Sequence, residues 1–431
     1  MTETSPSQTP AKPKWTAYQK YIIILLLLVY TINFIDRQIV AILSPAIKAD
    51  LGLTDTQLGL LKGLAFALIY GFASFPIAWL ADRKNRVTIV SVSVAAWSAM
   101  TAVCGVAQNF TQLIIARMGV GIGEAGCSPP AHSIISDYFP KDSRASAMGI
   151  YSLGIPLGTL FGILFGGLIA GTFGWRWAFL IVGLPGILLA LIVKLTLKEP
   201  VRGAMEAELA KSAEVESVPF LKSVSEMMKI KSYLILSIAS TLTSFSGFAI
   251  GLWIVDFLFR THELTYAQLT VPLAMVMGVG GAIGTFCGGY ITDYFARKDN
   301  AAYFVMPAIV NLISVPLYVA ALWVGSPFMC FVCFFFVFMM HNSVAGPVYA
   351  LVQNLAPVHL RAFAAALFFF LLSVIGFAFG PVYVGAVADA LTPTMGEADG
   401  LRWALTSIAP VWGISALIML YYRKALREDL G

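Results

Sequence analysis

An arginine and a glutamate, Arg117 and Glu124, stand inside an apolar, glycine-laced stretch at residues 113–125. A charge at the centre of a lipid-spanning helix costs about 3 kcal/mol on insertion scales, so such residues face a protein interior or a wet cavity and mark functional sites. Their spacing is two helical turns, roughly 10 Å of rise, which puts both side chains on nearly the same face. That is too far for the two to pair within one helix. Each needs a partner, a proton or a ligand from elsewhere. A second charged run, Asn33-Phe-Ile-Asp36-Arg37, lies in the first apolar stretch. If that helix starts near Tyr21, Asp36 lies roughly 22 Å along it, a depth that Arg117 reaches from the opposite direction. Asp36, Arg37 and Arg117 are therefore expected to form one charged layer, with Glu124 nearer the membrane centre. A carboxyl group buried without a full counter-charge favours its protonated form. Glu124 is thus the first expected proton carrier and Asp36 the second. Arginines do not deprotonate; Arg37 and Arg117 would hold a carboxylate ionised or clamp an anionic head group bidentately. The plain alternative is a knot of ion pairs that only fixes helix packing.

Only a polytopic membrane protein positions charges in this way. The 431 residues are 58% hydrophobic and 12% charged, with a mean hydropathy of +0.81, whereas soluble chains are about 25% charged. A span takes about 20 apolar residues, and twelve such stretches are expected, giving an all-α chain of twelve transmembrane helices. Of the 28 Lys and Arg, 21 fall in the amino-terminal tail and every second connection. Lys48, Lys62, Arg176, Arg260 and Arg402 are expected on the outer side. This bias places both termini in the cytoplasm, and it accounts for the net charge of +5 without a nucleic-acid partner. The five cysteines all fall in apolar stretches, so no disulfide framework is expected. Cys330 and Cys333 form a C-x-x-C without a second ligand pair, and the four histidines show no metal spacing. Residues 1–18 read as a disordered tail and not as a cleaved signal.

A polar, charged stretch at 198–231 divides the chain into bundles at 19–197 and 232–424, with a short tail at 425–431. Residues 217–228 carry apolar groups at helical spacing after a Ser-x-Pro start, the pattern of a surface helix or a solvated linker. The halves repeat. The turn ending at Asp82 and Arg83 matches that at Asp293 at an offset of 211, and Pro130, Pro140 and Arg144 match Pro347, Pro357 and Arg361 at 217. Gly174-Trp-Arg-Trp-Ala matches Gly400-Leu-Arg-Trp-Ala at 226. Two six-helix halves in the same orientation form the duplicated transporter plan, with a binding site at the midplane between them. By the 217 offset His341 takes the place of Glu124 and Phe334 that of Arg117, amid a stripe of Phe and Met. A charged wall facing an aromatic, methionine-rich wall suits an amphiphile with an anionic or zwitterionic head, although such stripes also serve ordinary packing. His341 enters the candidate layer as a proton relay or as a hydrogen-bonded interface histidine.

Ala78-x-x-x-Asp82-Arg83-x-Asn85-Arg86 resembles the Gly-x-x-x-Asp-Arg-x-Gly-Arg-Arg hallmark of the major facilitator superfamily, with alanine and asparagine in place of both glycines. The 113–125 stretch resembles its fourth-helix signature Leu-x-x-x-Arg-x-x-Gln-Gly-x-Gly, with Val120 in the glutamine slot. Gly149, Gly158, Gly162, Gly166 and Gly167 fall on the spacing typical of its drug-proton antiporters, with Ile163 in the proline slot. Within the superfamily, Asn33-x-x-Asp36-Arg37 followed by Arg117-x-x-x-Gly-x-Gly-Glu124 resembles the spinster subfamily, whose eukaryotic members move sphingosine phosphate or lysophospholipids; the chain reads as a bacterial homologue. The same start also occurs in organic-anion and hexuronate symporters. The resemblance implies that Asp82, Arg83, Arg86 and Arg144, with Asp293, Arg297 and Arg361, form a cytoplasmic gate that holds an outward-open state. The expected function is a proton-coupled secondary transporter in the cell membrane, working by alternating access as an exporter of an amphipathic or lipid-like molecule. Symport of an organic anion such as a sugar acid, and a non-transporting membrane sensor, are the alternatives. The expected partners are that substrate, membrane lipid and protons. The proton gradient supplies the energy, and no cofactor, metal, enzymatic activity or second copy is expected.

Overall fold

The computed structural model describes residues 15–81, 83–202, 220–357 and 360–430. Most of the expected tail and the 203–219 part of the expected linker lie outside these. Every regular element among the described residues is helical, and ten helices are long and apolar enough to cross a membrane. In chain order the helices of the first half are α1 Ala17–Leu51, α2 Asp55–Ala81, α3 Arg86–Cys104, α4 Phe110–Glu124, α5 Ser128–Tyr138, α6 Lys141–Ser152, α7 Gly154–Phe173 and α8 Trp175–Thr196. A short connecting helix follows, α9 Phe220–Lys229. The second half holds α10 Lys231–His262, α11 Tyr266–Ala296, α12 Ala302–Trp323, α13 Pro327–Ser343, α14 Ala345–Leu355, α15 Arg361–Leu371, α16 Ala378–Thr406, α17 Ala409–Tyr421 and α18 Arg423–Leu430.

Local chemistry sets the boundaries, and it repeats. Gly52 after α1 and Glu263 after α10 both adopt left-handed backbone, at φ 60° and 52°. That conformation costs a non-glycine residue about 1 kcal/mol, and it closes a helix by returning a backbone N–H to an orphan carbonyl: Lys48 for Gly52 and Leu258 for Glu263. Two residues on, the Thr54 N–H donates to Gln57 Oε1 at 3.0 Å and the Thr265 N–H to Gln268 Oε1 at 2.9 Å. Both pairs keep the 211 offset. The break between α4 and α5 at Cys127 recurs between α13 and α14 at Val344, which keeps the 217 offset. Prolines cause it: Pro129 and Pro130 lack the N–H that a continuing helix needs, but fit a first turn.

The third match needs a correction. Gly174, at φ 87° and ψ 165°, turns the chain into α8, and the residue with the same conformation in the second half is Gly396, at φ 82° and ψ 167°. Gly400, paired with Gly174 by sequence, is helical. The turn glycine therefore precedes the Arg-Trp-Ala run by an extra helical turn in the second half.

Glycines on α7 set the site's foundation. A Cβ at Gly158 would stand 2.6 Å from the Thr31 carbonyl and 2.4 Å from Phe34 Cβ, and one at Gly154 2.8 Å from Tyr30 Cβ. The backbone of α1 thus lies directly on α7, which fixes the rotation of Asp36 and Arg37. Of the expected linker, α9 packs on the second half through the buried Met227. At the end of the chain, Asp429 of α18 accepts the Ser232 N–H at the start of α10, 2.8 Å.

The halves are joined at one end by polar bonds. Asp256 of α10 pairs with Lys62 of α2 and accepts from Ser44 of α1. Arg260 grips Asp55 through two bonds of 2.7 Å, and Asp389 accepts the backbone N–H groups of Asp55 and Thr56 at 2.9 and 2.7 Å. Glycines bring the backbones together at this seam: an added Cβ at Gly59 would meet the Pro381 carbonyl at 2.5 Å.

Gly158→Ala is expected to lower stability by about 1–3 kcal/mol through overpacking against α1, read as a drop in the thermal unfolding midpoint of the purified protein. An unchanged midpoint would mean that α7 yields to α1.

Candidate functional site

The charged residues of α1 and α4 meet in the interior of the first half. Arg37 Nε donates to Glu124 Oε2 at 2.8 Å. Glu124 is the last residue of α4, so its side chain is presented at the helix break, where the carbonyl end of the helix disfavours a nearby negative charge. The arginine offsets both that and the burial, since Glu124 is 1% exposed. The guanidinium of Arg37 lies 5.0 Å from the Phe34 ring, 5.2 Å from Phe66 and 4.9 Å from Tyr70. Arg117 stands 5.4 Å from the same Phe66 ring. Two cations and one carboxylate thus share an aromatic cage in which cation–π attraction replaces part of the lost hydration.

Asp36 is fully buried; neither carboxylate oxygen makes a well-formed hydrogen bond among the described residues, and the Thr101 and Trp97 side chains adjoin it. The expected partner, Arg117, instead reaches the Asp36 backbone carbonyl through Nη1, at 3.5 Å. Glu124, expected deeper than a layer of Asp36, Arg37 and Arg117, thus lies in direct contact with that layer, and the expected Asp36–Arg117 side-chain pair is not formed. Glu124, expected to be the odd group out, carries the short ion pair, and the Asp36 carboxylate is left without a bond. The rotation of α1 on α7 decides this, because adjacent residues on a helix point about 100° apart and of the two neighbours only Arg37 bonds Glu124. Asn33, one turn before Arg37 and 1% exposed, adjoins the Glu124 carboxylate.

His341 does not join this layer. It packs within the second half, against Trp412 at 6.1 Å between rings and into the space left by Gly247, where a Cβ would stand 2.1 Å from its imidazole. The residue pairing of the repeat is right, but Gly247 draws the ring into its own bundle.

Of the expected gate, Asp82 lies outside the described residues. Arg86 is buried in a knot within the first half: it bonds Asp137 at 2.5 Å, Glu199 at 2.7 Å and the Pro200 carbonyl at 3.0 Å. That fastens the start of α3 to α5 and to the end of α8. Arg83 folds back on Trp79, its guanidinium 4.2 Å from the ring. Arg144 reaches the Ser136 carbonyl at 2.8 Å. Asp293 accepts from the Tyr303 hydroxyl at 3.2 Å, while the side chains of Arg297 and Arg361 are exposed and make no ion pair or hydrogen bond among the described residues. The partners of Arg83, Arg86 and Asp293 all lie in their own halves.

Lys62 and Arg260, expected on the outer side, lie in the seam, where Lys62 is 2% exposed. Asp55, Asp256 and Asp389 were absent from the candidates. The signal was available: Lys62 interrupts Leu60-Leu61 and Gly63-Leu64, and Asp256 interrupts Ile254-Val255 and Phe257-Leu258. These are lone charges in apolar helix, as at Arg117 and Glu124.

A helical chain with duplicated halves, a polar seam at one end and a buried charge cage defines a membrane transporter. The sequence profile described as the Major Facilitator Superfamily matches residues 26–381, and the chain belongs to that superfamily. It is 29% identical over 405 residues to an MFS-type efflux pump of Mycolicibacterium smegmatis, covering 94% of this chain and 92% of that one. Against protein spinster of Drosophila melanogaster it is 26% identical, covering 92% and 66%. Among solved structures it resembles a bacterial homologue of the human lysosomal transporter spinster in an inward-facing, unoccupied conformation, with 31% identity, a TM-score of 0.89, and 96% and 99% of the two chains covered. The protein is a multi-pass membrane transporter, not an enzyme.

Removing one member of a buried ion pair costs about 3–5 kcal/mol because the other charge is left uncompensated. Arg37→Met should therefore lower the unfolding midpoint markedly, and Arg37→Met with Glu124→Gln should recover most of the loss. Equal midpoints for the two variants would show that the pair carries no such strain.

Proposed function

We propose that the protein is a proton-coupled secondary transporter that exports an amphipathic or lipid-like molecule by alternating access. The observation that carries this reading is the Arg37–Glu124 pair beside the unbonded carboxyl of Asp36. A proton arriving at Glu124 removes the charge that Arg37 answers, and the freed guanidinium can grip an anionic head group bidentately. Deprotonation restores the pair and displaces the head group, so the protonation state of Glu124 decides when Arg37 is free to hold substrate. Asp36 adjoins the pair closely enough that the two carboxyls act as a coupled unit. Phe34, Phe66 and Tyr70 supply an apolar surface beside the cations, as an amphiphile requires.

The topology of the reading is twelve spans. It counts α4 and α5 as one broken span, and divides the apolar run Phe363–Tyr421 at the Gly396 turn. The positive-inside bias then puts both termini, α9 and the Arg83, Arg297 and Arg361 end in the cytoplasm, with the polar seam facing outward. The halves sealed at the outer end correspond to an inward-facing state, in keeping with Arg297 and Arg361, whose side chains make no ion pair among the described residues. The protein acts as a monomer, because the Arg37–Glu124 site is complete within one chain.

Reconstituted liposomes under an imposed pH gradient, screened with lysolipids, sphingoid phosphates, sugar acids and cationic drugs, test the reading. Opposed proton and substrate fluxes are expected for an amphiphile, and parallel fluxes with a sugar acid would assign symport instead. Glu124→Gln should reduce gradient-driven flux to that of protein-free liposomes while leaving the protein folded. Undiminished flux in that variant overturns the role of Glu124.

A further inference from the structure

The seam between the halves contains a buried ion pair that the proposed site does not use. Lys62 lies in a widened turn of α2, Leu60–Leu64, where a π-helical ladder swings the side chain toward the second half. Its ammonium donates to Asp256 Oδ2 on α10, and Ser44 Oγ on α1 donates to the same oxygen at 2.7 Å. The side chains of both ions are 0% exposed. Lys62 Nζ also sits 3.8 Å above the Trp253 ring. The other charged groups at this level are engaged nearby: Arg260 stands 3.9 Å from Asp256 Oδ1 while it holds Asp55. Lys48 is 3.0 Å from Asp55 and 3.2 Å from Glu397, and Asp389 is bonded to the start of α2.

A buried ion pair is held at the cost of desolvating both charges, and its attraction offsets that cost only while the partners remain in contact. The two ions here belong to different halves. When α2 and α10 separate, each loses its partner and regains water. Without one partner, the remaining charge is stable only if water reaches it, and the route is the seam itself. An apolar pair of similar volume needs no water and keeps the seam closed. We propose that Lys62, Asp256 and Ser44 form a latch that holds this end of the protein shut and sets its resting state, apart from the Arg37–Glu124 exchange. The inference rests on the alternating-access reading for its meaning in transport, but closure of the seam can be measured without any substrate.

The reporter is Thr270→Cys in a full-length chain whose five native cysteines are replaced by alanine. Thr270 is 1% exposed and lies across the seam against Gly167, where a Cβ would meet its hydroxyl at 2.2 Å. The rate at which a membrane-impermeant maleimide modifies it, on monodisperse protein in detergent, reads opening. Lys62→Met and Asp256→Asn, each alone, should raise the rate by roughly tenfold, because each leaves one charge uncompensated. Lys62→Met combined with Asp256→Leu should return it to within about twofold of the parent, since an apolar pair restores the seal. Unchanged rates in both single variants overturn the latch. Equal acceleration in all three variants overturns it too, by showing that side-chain volume and not charge closes the seam. The proposed latch stands if these rates behave as expected even when no screened compound is transported.

Discussion

Charge that cannot reach water must be satisfied by protein, and in a lipid-spanning chain that requirement governs how helices are arranged. Seven charged side chains are buried among the described residues: Asp36, Asp55, Lys62, Arg86, Arg117, Glu124 and Asp256. They fall into three groups, each fastening different elements. Arg86 ties α3 to α5 and the end of α8, making the first half a unit at one end. Arg37 and Arg117 gather α1 and α4 around an aromatic cage in its interior. Lys62, Asp256 and Asp55 join that half to the other. The bundle is thus stabilised within its halves by packing and Arg86, and between its halves by charge together with an apolar core that both halves share.

This division has mechanical consequences. Contacts within a half bury broad apolar surfaces that no physiological change removes, whereas a seam made of ion pairs and close glycine contacts can open when its charges gain water. An equilibrium between two packings shifts only when something binds one of them better. The Arg37–Glu124 pair offers a place for that bias, since a proton and an anionic head group both act on the same guanidinium. It lies within one half, and two helices lead from it to the seam: α1, which carries both Arg37 and Ser44, and α2, which carries Phe66 and Tyr70 of the cage as well as Lys62.

Glycine provides the positions that make this precise. Along α7 it lets α1 lie close enough for Arg37, and not Asp36, to meet Glu124. At the seam it lets α2 touch the backbone of the second half. A one-carbon side chain at most of these points would overlap backbone atoms, so the spacing of glycines acts as a register for the charges.

How much of this was legible without coordinates depends on the range over which each feature is determined. Apolar length, the glycine ladder, the repeat of Thr54 and Gln57 in Thr265 and Gln268, and the charge bias of the connections are local, and the sequence carries them openly. The candidate layer was found by the same logic, because a charge in an apolar run is conspicuous wherever it lies. Which charge meets which is not local. It depends on helix rotation, and rotations are set by packing against helices distant in the chain: α7 turned Arg37 toward Glu124, and Gly247 drew His341 away from the layer. Lys62 and Asp256 show the same limit. They are 194 residues apart, each looks like a loop or stray charge alone, and only the contact between halves makes them a pair. Residue chemistry by itself determined that the protein spans a membrane, is duplicated and carries costly interior charges. The tertiary structure decided their partners, because partnership is a property of helix faces brought together and not of the residues that line them.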